Sequence, residues 1–404
     1  MIQLPQIEPN RLAVKLTTIG ERSVRSEHPW IFADSIEKIN KEGASGDVAI
    51  IFSRTKNKVI GVGLYDPDSP IRIKMLYHNG AVKLETEFFA KQINKAFELR
   101  IPLLATNTTS YRLLFGENDG FPGLIADVYN QVLVVKLYTA IWFPYLEIIL
   151  KQLIEVSQVK TVVLRLSRSL QQMNNTYGLF EGQVIFGTLN NEVIPFIEHG
   201  VNFSANVIKG HKTGYFLDHR DNRKRVGVLS KNKTVLDVFS YAGGFSVHAL
   251  ANQAKAVTSV DISKQALALA IENGKLNSFK GTHNTLAGDA FEILRELISK
   301  KQTFDLVVID PPSFAKSKGE IAIAKKKYRQ LAELGVQLTA MEGMLVLASC
   351  SSRIVADSFF QINKEVLDHQ LRPYVLQNKT QHDVDHPISF KEGAYLKTGF
   401  YRFL

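Results

Sequence analysis

The sequence predicts an α/β protein in three parts: a β-rich module over residues 1–77, a small central α+β domain over 80–190, and a C-terminal domain over 200–404 built on an open, mostly parallel sheet. Three observations carry this. Short Val-, Ile- and Tyr-rich runs separated by turn residues fill the first part. One long helical spacing followed by a hairpin-like run marks the second. In the third, strand-like and helix-like segments alternate, the pattern of repeated βαβ units with helices on both sheet faces.

In the first part, residues 12–17, 47–53, 58–66 and 71–77 read as strands, punctuated by Gly43–Gly46 and Asp66-Pro67-Asp68. Between the first of them runs a basic and aromatic stretch containing Arg22, Arg25, His28, Trp30 and Phe32. Cations beside aromatics suit phosphate pairing plus base stacking. Taken alone, Trp30 and Phe32 read more readily as core residues, since aromatics are usually buried. In the second part, residues 84–104 have helical spacing, 126–138 read as two strands around Asn130-Gln131, 143–156 as an amphipathic helix and 161–167 as a strand. No chemical constellation stands out there.

In the third part, strands at 234–240, 256–263, 282–289, 304–312 and 343–351 alternate with helices at 245–253, 264–277, 291–301 and 326–339. Ligands of such sheets bind at the carboxyl ends of the strands. The first strand runs into Asp237-Val238-Phe239-Ser240-Tyr241-Ala242-Gly243-Gly244-Phe245, whose glycines let the backbone turn close to a ligand. It is not G-x-G-x-x-G, which disfavours a nicotinamide dehydrogenase. The second strand ends in Asp261, placed to accept from ribose hydroxyls, and the third in Asp289-Ala290, placed to hold an adenine amino group. Any one strand-end Asp can be a plain helix cap; the ordered series points to an adenosine ligand. The fourth strand ends in Asp310-Pro311-Pro312-Ser313-Phe314. Two prolines fix φ and make a rigid ledge beside a carboxylate, with an aromatic close by to pack a flat base. The fifth ends in Cys350, a candidate nucleophile on the same edge.

The chain has 404 residues, a formal net charge of +10 and one cysteine. The basic surplus suits a nucleic-acid partner or a solvated basic surface. One thiol makes neither a disulfide nor a Cys-based zinc site, so no metal is expected and a reducing, cytoplasmic setting is. No basic start followed by an apolar core and no run of ~18 apolar residues stands out, so neither a signal peptide nor a membrane span is expected.

With these residues in view, the whole chain resembles the RlmI-type family of class I rRNA methyltransferases. His28-Pro29-Trp30-Ile31-Phe32 resembles its N-terminal PUA module. Gly210 to Asp218, followed by Arg220 and Asp221, resembles its entry into a Rossmann-like catalytic domain. Phe239 to Phe245 resembles its cofactor loop, Asp310-Pro311-Pro312 with Phe314 its substrate motif, and Ser349-Cys350-Ser351 its nucleophile motif; Asp385-His386-Pro387 and Glu392 to Lys397 also match. The resemblance implies S-adenosylmethionine (SAM) as cofactor, held by Phe216, Asp218, Arg220, Asp237, Phe239, Ser240, Tyr241, Gly243, Gly244, Phe245, Asp261, Asp289, Ala290 and Asp310. It implies large-subunit ribosomal RNA as partner, met by Pro311, Pro312, Phe314, Arg22, Arg25, His28 and Trp30, and it leaves a homodimer open. The implied reaction is methylation of cytosine C5, with Cys350 and Asp310 catalytic. Methylation of a guanine or an amine without a cysteine adduct, and a non-enzymatic RNA-binding factor, are the alternatives.

Overall fold

The structure is a computed structural model that describes residues 2–404. The chain divides into two compact units. The first runs up to Phe196 and takes in Ser204–Leu217 and Val384–Lys391; the second comprises Ile197–Phe203, Asp218–Asp383 and Glu392–Leu404.

The first unit holds a six-stranded and a five-stranded sheet. The six-stranded sheet is the β-rich module, in the order Trp30–Phe32, Ile71–His78, Val59–Tyr65, Val48–Phe52, Arg11–Leu16, Ile36–Ile39. Arg11–Leu16 alternates, buried at every second residue, whereas Val59–Tyr65 is buried at five consecutive positions. The basic and aromatic run is partly a helix, Thr18–Arg25, capped by the Thr17 hydroxyl accepting from the Gly20 N–H. The five-stranded sheet follows the expected hairpin, with Asn130 in the left-handed region at φ 54°. It is edged by Ser110–Phe115, a strand buried at all six positions. Continuous burial removes the alternation by which a strand is read from sequence. The two sheets are not separate cores: Leu4, Leu64 and Leu76 of the module share one apolar cluster with Phe89, Trp142 and Leu146. Polar ties join them too, since the Thr139 hydroxyl donates to Asp66 and the Tyr145 hydroxyl to the Gly46 carbonyl.

The second unit is a seven-stranded sheet. We number its strands β1 (Thr234–Val238), β2 (Ala256–Asp261), β3 (Thr282–Ala287), β4 (Phe304–Ile309), β5 (Thr339–Ser349), β6 (Tyr374–Thr380) and β7 (Lys397–Phe403). Helices α1 (Arg220–Leu229), α2 (Gly244–Ala251), α3 (Lys264–Lys275), α4 (Ala290–Ser299), α5 (Ile321–Leu338) and α6 (Ala356–His369) accompany them. The order is β3-β2-β1-β4-β5-β7-β6. Strands β1 to β5 are parallel, as the βαβ reading requires, whereas β7 is antiparallel to both β5 and β6. The switch point of strand order lies between β1 and β4, where a crevice for ligands opens in this architecture. One apolar cluster, around Leu236, Val307 and Leu345, joins the sheet to α4, α5 and α6; the other, around Val235, Phe245 and Leu306, joins it to α2.

Candidate active site

The loop after β1 is shaped by backbone strain. Phe239 and Tyr241 have φ of 64° and 46°, and Gly243 has 79°. Left-handed backbone costs a side-chain-bearing residue on the order of 1–2 kcal/mol, so the loop is held by its surroundings. Ser240 N–H donates to the Val260 carbonyl at 3.0 Å, and Tyr241 N–H to Asp261 Oδ2 at 2.9 Å. Gly243 also lies against α3, where an added Cβ would stand 2.7 Å from that of Ala270.

Asp237 is buried beneath this loop. Its Oδ2 accepts from the Ser246 N–H at 3.0 Å and hydroxyl at 2.6 Å, while its Oδ1 is buried with no hydrogen-bond partner among the described residues. Burial pushes its carboxyl up to about 7, with Asp310 and Asp261 adding to the rise and the Ser246 bonds opposing it. The Ser240 hydroxyl is likewise buried and unmet. Unmet polar atoms in a core are rare unless a ligand or water completes them. Two of them, one at the end of β1 and one in the strained loop after it, fit a group bearing donors and acceptors, as the amino-acid end of SAM does.

Asp261 uses one oxygen for Tyr241 and the other for the Ser263 N–H at 2.9 Å, and an ionised carboxylate keeps further acceptor capacity after both. Beside it Ile262 is 77% exposed, an apolar residue on the ligand edge that sequence reasoning passed over. Asp289 is exposed and caps α4, accepting from the Glu292 N–H at 3.1 Å, with Ala290 buried as the first helical residue. The helix-cap use is thus present at Asp289 and leaves its second oxygen for a ligand. Asp218 accepts from the Tyr395 hydroxyl at 2.8 Å. Arg220 is fully buried, with Nη1 3.9 Å from Asp383. Phe216 falls in the first unit, under Lys212 Nζ at 4.5 Å from its ring.

On the other side of the switch point, Asp310 follows β4 with its N–H donating to the Val238 carbonyl at 3.3 Å, and Pro311 is buried while Pro312 is exposed. Phe314 packs edge-on against Tyr328 at 5.3 Å and beneath Lys327 Nζ at 5.0 Å. Cys350 comes one residue after β5, half-buried, and its thiol donates to the Pro311 carbonyl at 3.7 Å. The ledge and the thiol therefore meet. Lys397 of β7, paired in register with Ser349, is buried and donates to the carbonyls of Ser351 and Tyr395. Burial pulls its ammonium down to about 8, and the neighbouring Cys350 partly restores it. An ammonium that a thiolate stabilises stabilises that thiolate in return.

His219 is the site residue that sequence reasoning missed. Its buried Nε2 lies 3.3 Å from Asp310 Oδ1. No motif spacing flags it, because the chain brings the two together only through the fold.

The RNA-facing residues expected in the first unit divide. Arg22 and Arg25 lie exposed on Thr18–Arg25, with Arg25 paired to Glu21 at 2.6 Å. Trp30 is half-buried: its indole N–H donates to Glu117 at 3.1 Å and its ring meets Phe390 and His28 edge-on at 5.1 and 5.7 Å. His28 Nδ1 accepts from the Trp30 N–H at 3.1 Å. Those two rings are used in packing. Among the described residues no group of His, Cys, Asp and Glu is arranged for a metal, and no helix is long and apolar enough to cross a membrane.

Comparison with known proteins agrees with this geometry. A family profile described as S-adenosylmethionine-dependent methyltransferase matches residues 112–373, and one described as a PUA-like domain matches 14–78. A ribosomal RNA large subunit methyltransferase of Deinococcus radiodurans is 39% identical over 402 residues, covering 98% of both chains. A ribosomal RNA large subunit methyltransferase I of Aliivibrio fischeri is 32% identical, covering 96% of this chain and 98% of its own. A solved protein of Streptococcus mutans, described as a SAM-dependent methyltransferase, superposes with a TM-score of 0.81 over 96% of this chain and 99% of its own; at 20% identity it supports the fold alone. With a strained cofactor loop, an ordered row of strand-end acids and matches along nearly its whole length, the chain belongs to the RlmI-type family of SAM-dependent methyltransferases.

Proposed function

We propose that the protein methylates C5 of a cytosine in large-subunit ribosomal RNA, in the cytoplasm, through a covalent adduct on Cys350. The relatives' names supply the RNA. The observation that carries the chemistry is the meeting of Cys350 with the Asp310-Pro311-Pro312 ledge, where the thiol reaches the Pro311 carbonyl at 3.7 Å. Cytosine C5 is a poor nucleophile until a nucleophile adds at C6. In this reading the Cys350 thiolate, favoured by the Lys397 ammonium, forms the S–C6 bond. The C5–C6 π pair moves through the ring, and N3 takes a proton delivered through Asp310. The bound cofactor supplies the electrophilic methyl group. Once C5 carries it, N3 gives its proton back to Asp310, a general base takes the C5 proton, the C5–C6 double bond re-forms from that C–H pair and the thiolate leaves with the S–C6 pair. The cytosine must be unstacked to reach this crevice.

Cys350→Ala should bind SAM normally and lose methyl transfer. RNA carrying 5-fluorocytosine should form a complex with the native protein that survives denaturing electrophoresis, because fluorine blocks the final proton loss, and no such complex with Cys350→Ala. Methyl transfer by the alanine variant at the native rate would sink this reading and favour nitrogen methylation of guanine or an amine, which needs no adduct.

A further inference from the structure

His219 stands at the N-cap position of α1, and every group around it is accounted for. Nε2 lies 3.3 Å from Asp310 Oδ1, within ion-pair range, and no side chain or backbone group among the described residues meets it in hydrogen-bond geometry. Nδ1 lies 3.1 Å from Asn222 Nδ2. Asn222 is itself pinned, accepting from the Thr380 hydroxyl of β6 at 2.7 Å and donating to the Thr398 hydroxyl of β7 at 3.2 Å. Phe245 of α2 closes one side of the ring edge-on at 5.5 Å. The charged groups that act on it are Asp310 after β4, Asp218 just before it and Arg223 in α1.

This geometry determines the proton's place. With Nδ1 accepting from Asn222, the proton of the neutral ring sits on Nε2, toward Asp310. The imidazolium needs Asn222 turned over to present its oxygen to Nδ1. Its two neighbours are hydroxyls, which donate or accept equally, so the turn leaves every bond satisfied. The pocket therefore accommodates His219 in both charge states. Burial is the largest influence and disfavours the charge; the attraction of Asp310, with Asp218 behind, outweighs it and leaves the imidazole above its ordinary value.

We propose that His219 is the positioning residue for Asp310: it aims the carboxyl at the base and stores the proton that Asp310 passes to N3. The proposal rests on the cytosine reading above. As the S–C6 bond forms, the His219 imidazolium passes its proton to the Asp310 carboxylate, which delivers it to N3 and leaves His219 neutral. When the adduct collapses, N3 returns the proton through Asp310 to His219 and the ion pair is restored. No outside acid is consumed. His219 itself is buried behind Asp310 and does not touch the base.

The test compares the native protein with His219→Gln, whose amide still donates toward Asp310 but does not titrate. Methyl transfer to in-vitro-transcribed large-subunit RNA is followed across pH, with SAM affinity measured alongside. The native rate should fall on the alkaline side as the imidazolium is lost. The glutamine variant should lose that limb and show kcat lower by about tenfold or more, with KM and SAM affinity little changed. An unaltered alkaline limb, or kcat within about twofold of native, overturns the proposal. A second measurement does not depend on that variant folding. The His219 imidazole, followed by nitrogen NMR in the full chain, should titrate at lower pH in Asp310→Asn than in the native protein, and no difference overturns the pairing. Failure of the cytosine reading is recognised separately, by the absence of the fluorocytosine adduct on native protein.

Discussion

Asp237 shows what one buried carboxyl imposes on the protein. Its folded value of about 7 lies above the ordinary 3.8, so between those values the folded state binds the proton that the unfolded chain releases. Stability falls with pH wherever the native state holds more protons. The contribution is therefore fully present below about 3.8 and is lost as pH rises through about 7. Asp237→Asn should flatten this loss, raising the urea midpoint of the cofactor-free protein at pH 8 while changing it little at pH 4. The gain at pH 8 should be on the order of 2–4 kcal/mol, the upper end being the full shift; equal midpoints for the two proteins at pH 8 would show that Asp237 is ionised without penalty. At this scale the sequence placed Asp237, Asp261, Asp310 and Cys350 at or beside strand ends, where the structure has them. It was silent on His219 and gave Lys397 a motif but no role, because nothing in their neighbours along the chain says which distant carboxylate or thiol they will face.

Among elements, the turn from β1 into α2 shows how little freedom the cofactor loop has. Gly243 combines φ of 79° with a gap to α3 that a Cβ would overfill at 2.7 Å. Gly243→Ala should lower the thermal midpoint and weaken SAM binding by about tenfold or more in calorimetry, since strain and clash both displace the loop; native affinity in that variant would mean that the loop moves freely. Helices α2 to α5 and the parallel strands were legible because their apolar periodicity is strong and their turns are marked; α1 and α6 went unread. Strands β6 and β7 were not. Strand β6 lies at the sheet edge and no residue in it is buried, and β7 follows an irregular segment whose only helical turn is a short 3-10 one at Lys391–Gly393. The pairing of β7 with β5, and of β6 with β7, is a decision that local pattern does not record.

For the molecule as a whole, the common core of the β-rich module and the central domain changes how RNA binding should be tested. Removing residues 1–77 would strip Leu64 and Leu76 from a cluster that also holds Phe89 and Trp142, so a truncation would confuse folding with recognition. The exposed Arg22 and Arg25 are the better probes. Replacing both with Ala should weaken binding to large-subunit RNA and reduce the slope of log K against log salt by about 1–2, with the thermal midpoint unchanged. A slope identical to native would place the RNA path elsewhere. The β-rich module and the central domain were legible from periodicity as separate stretches, whereas they fold within one compact unit. Their fusion into one core was not legible, because Leu64 and Leu76 sit on strands buried at four or five consecutive positions, where nothing along the chain marks which face meets the second sheet.

The place of β7 in the sheet has a consequence for biosynthesis. It follows every other strand of the sheet in the chain, yet it lies between β5 and β6. While the protein is being translated, β1 to β5 can assemble as soon as they emerge, but the outer edge of β5, six of whose residues pair with β7, has no mate until residues 397–403 leave the ribosome. A nascent chain in that state exposes an apolar strand edge of the kind that recruits chaperones or pairs wrongly with another chain. Lys397 arrives with the same strand, so the environment of Cys350 is completed in the same event that closes the sheet, and a chain stalled short of it carries the thiol without its buried cation.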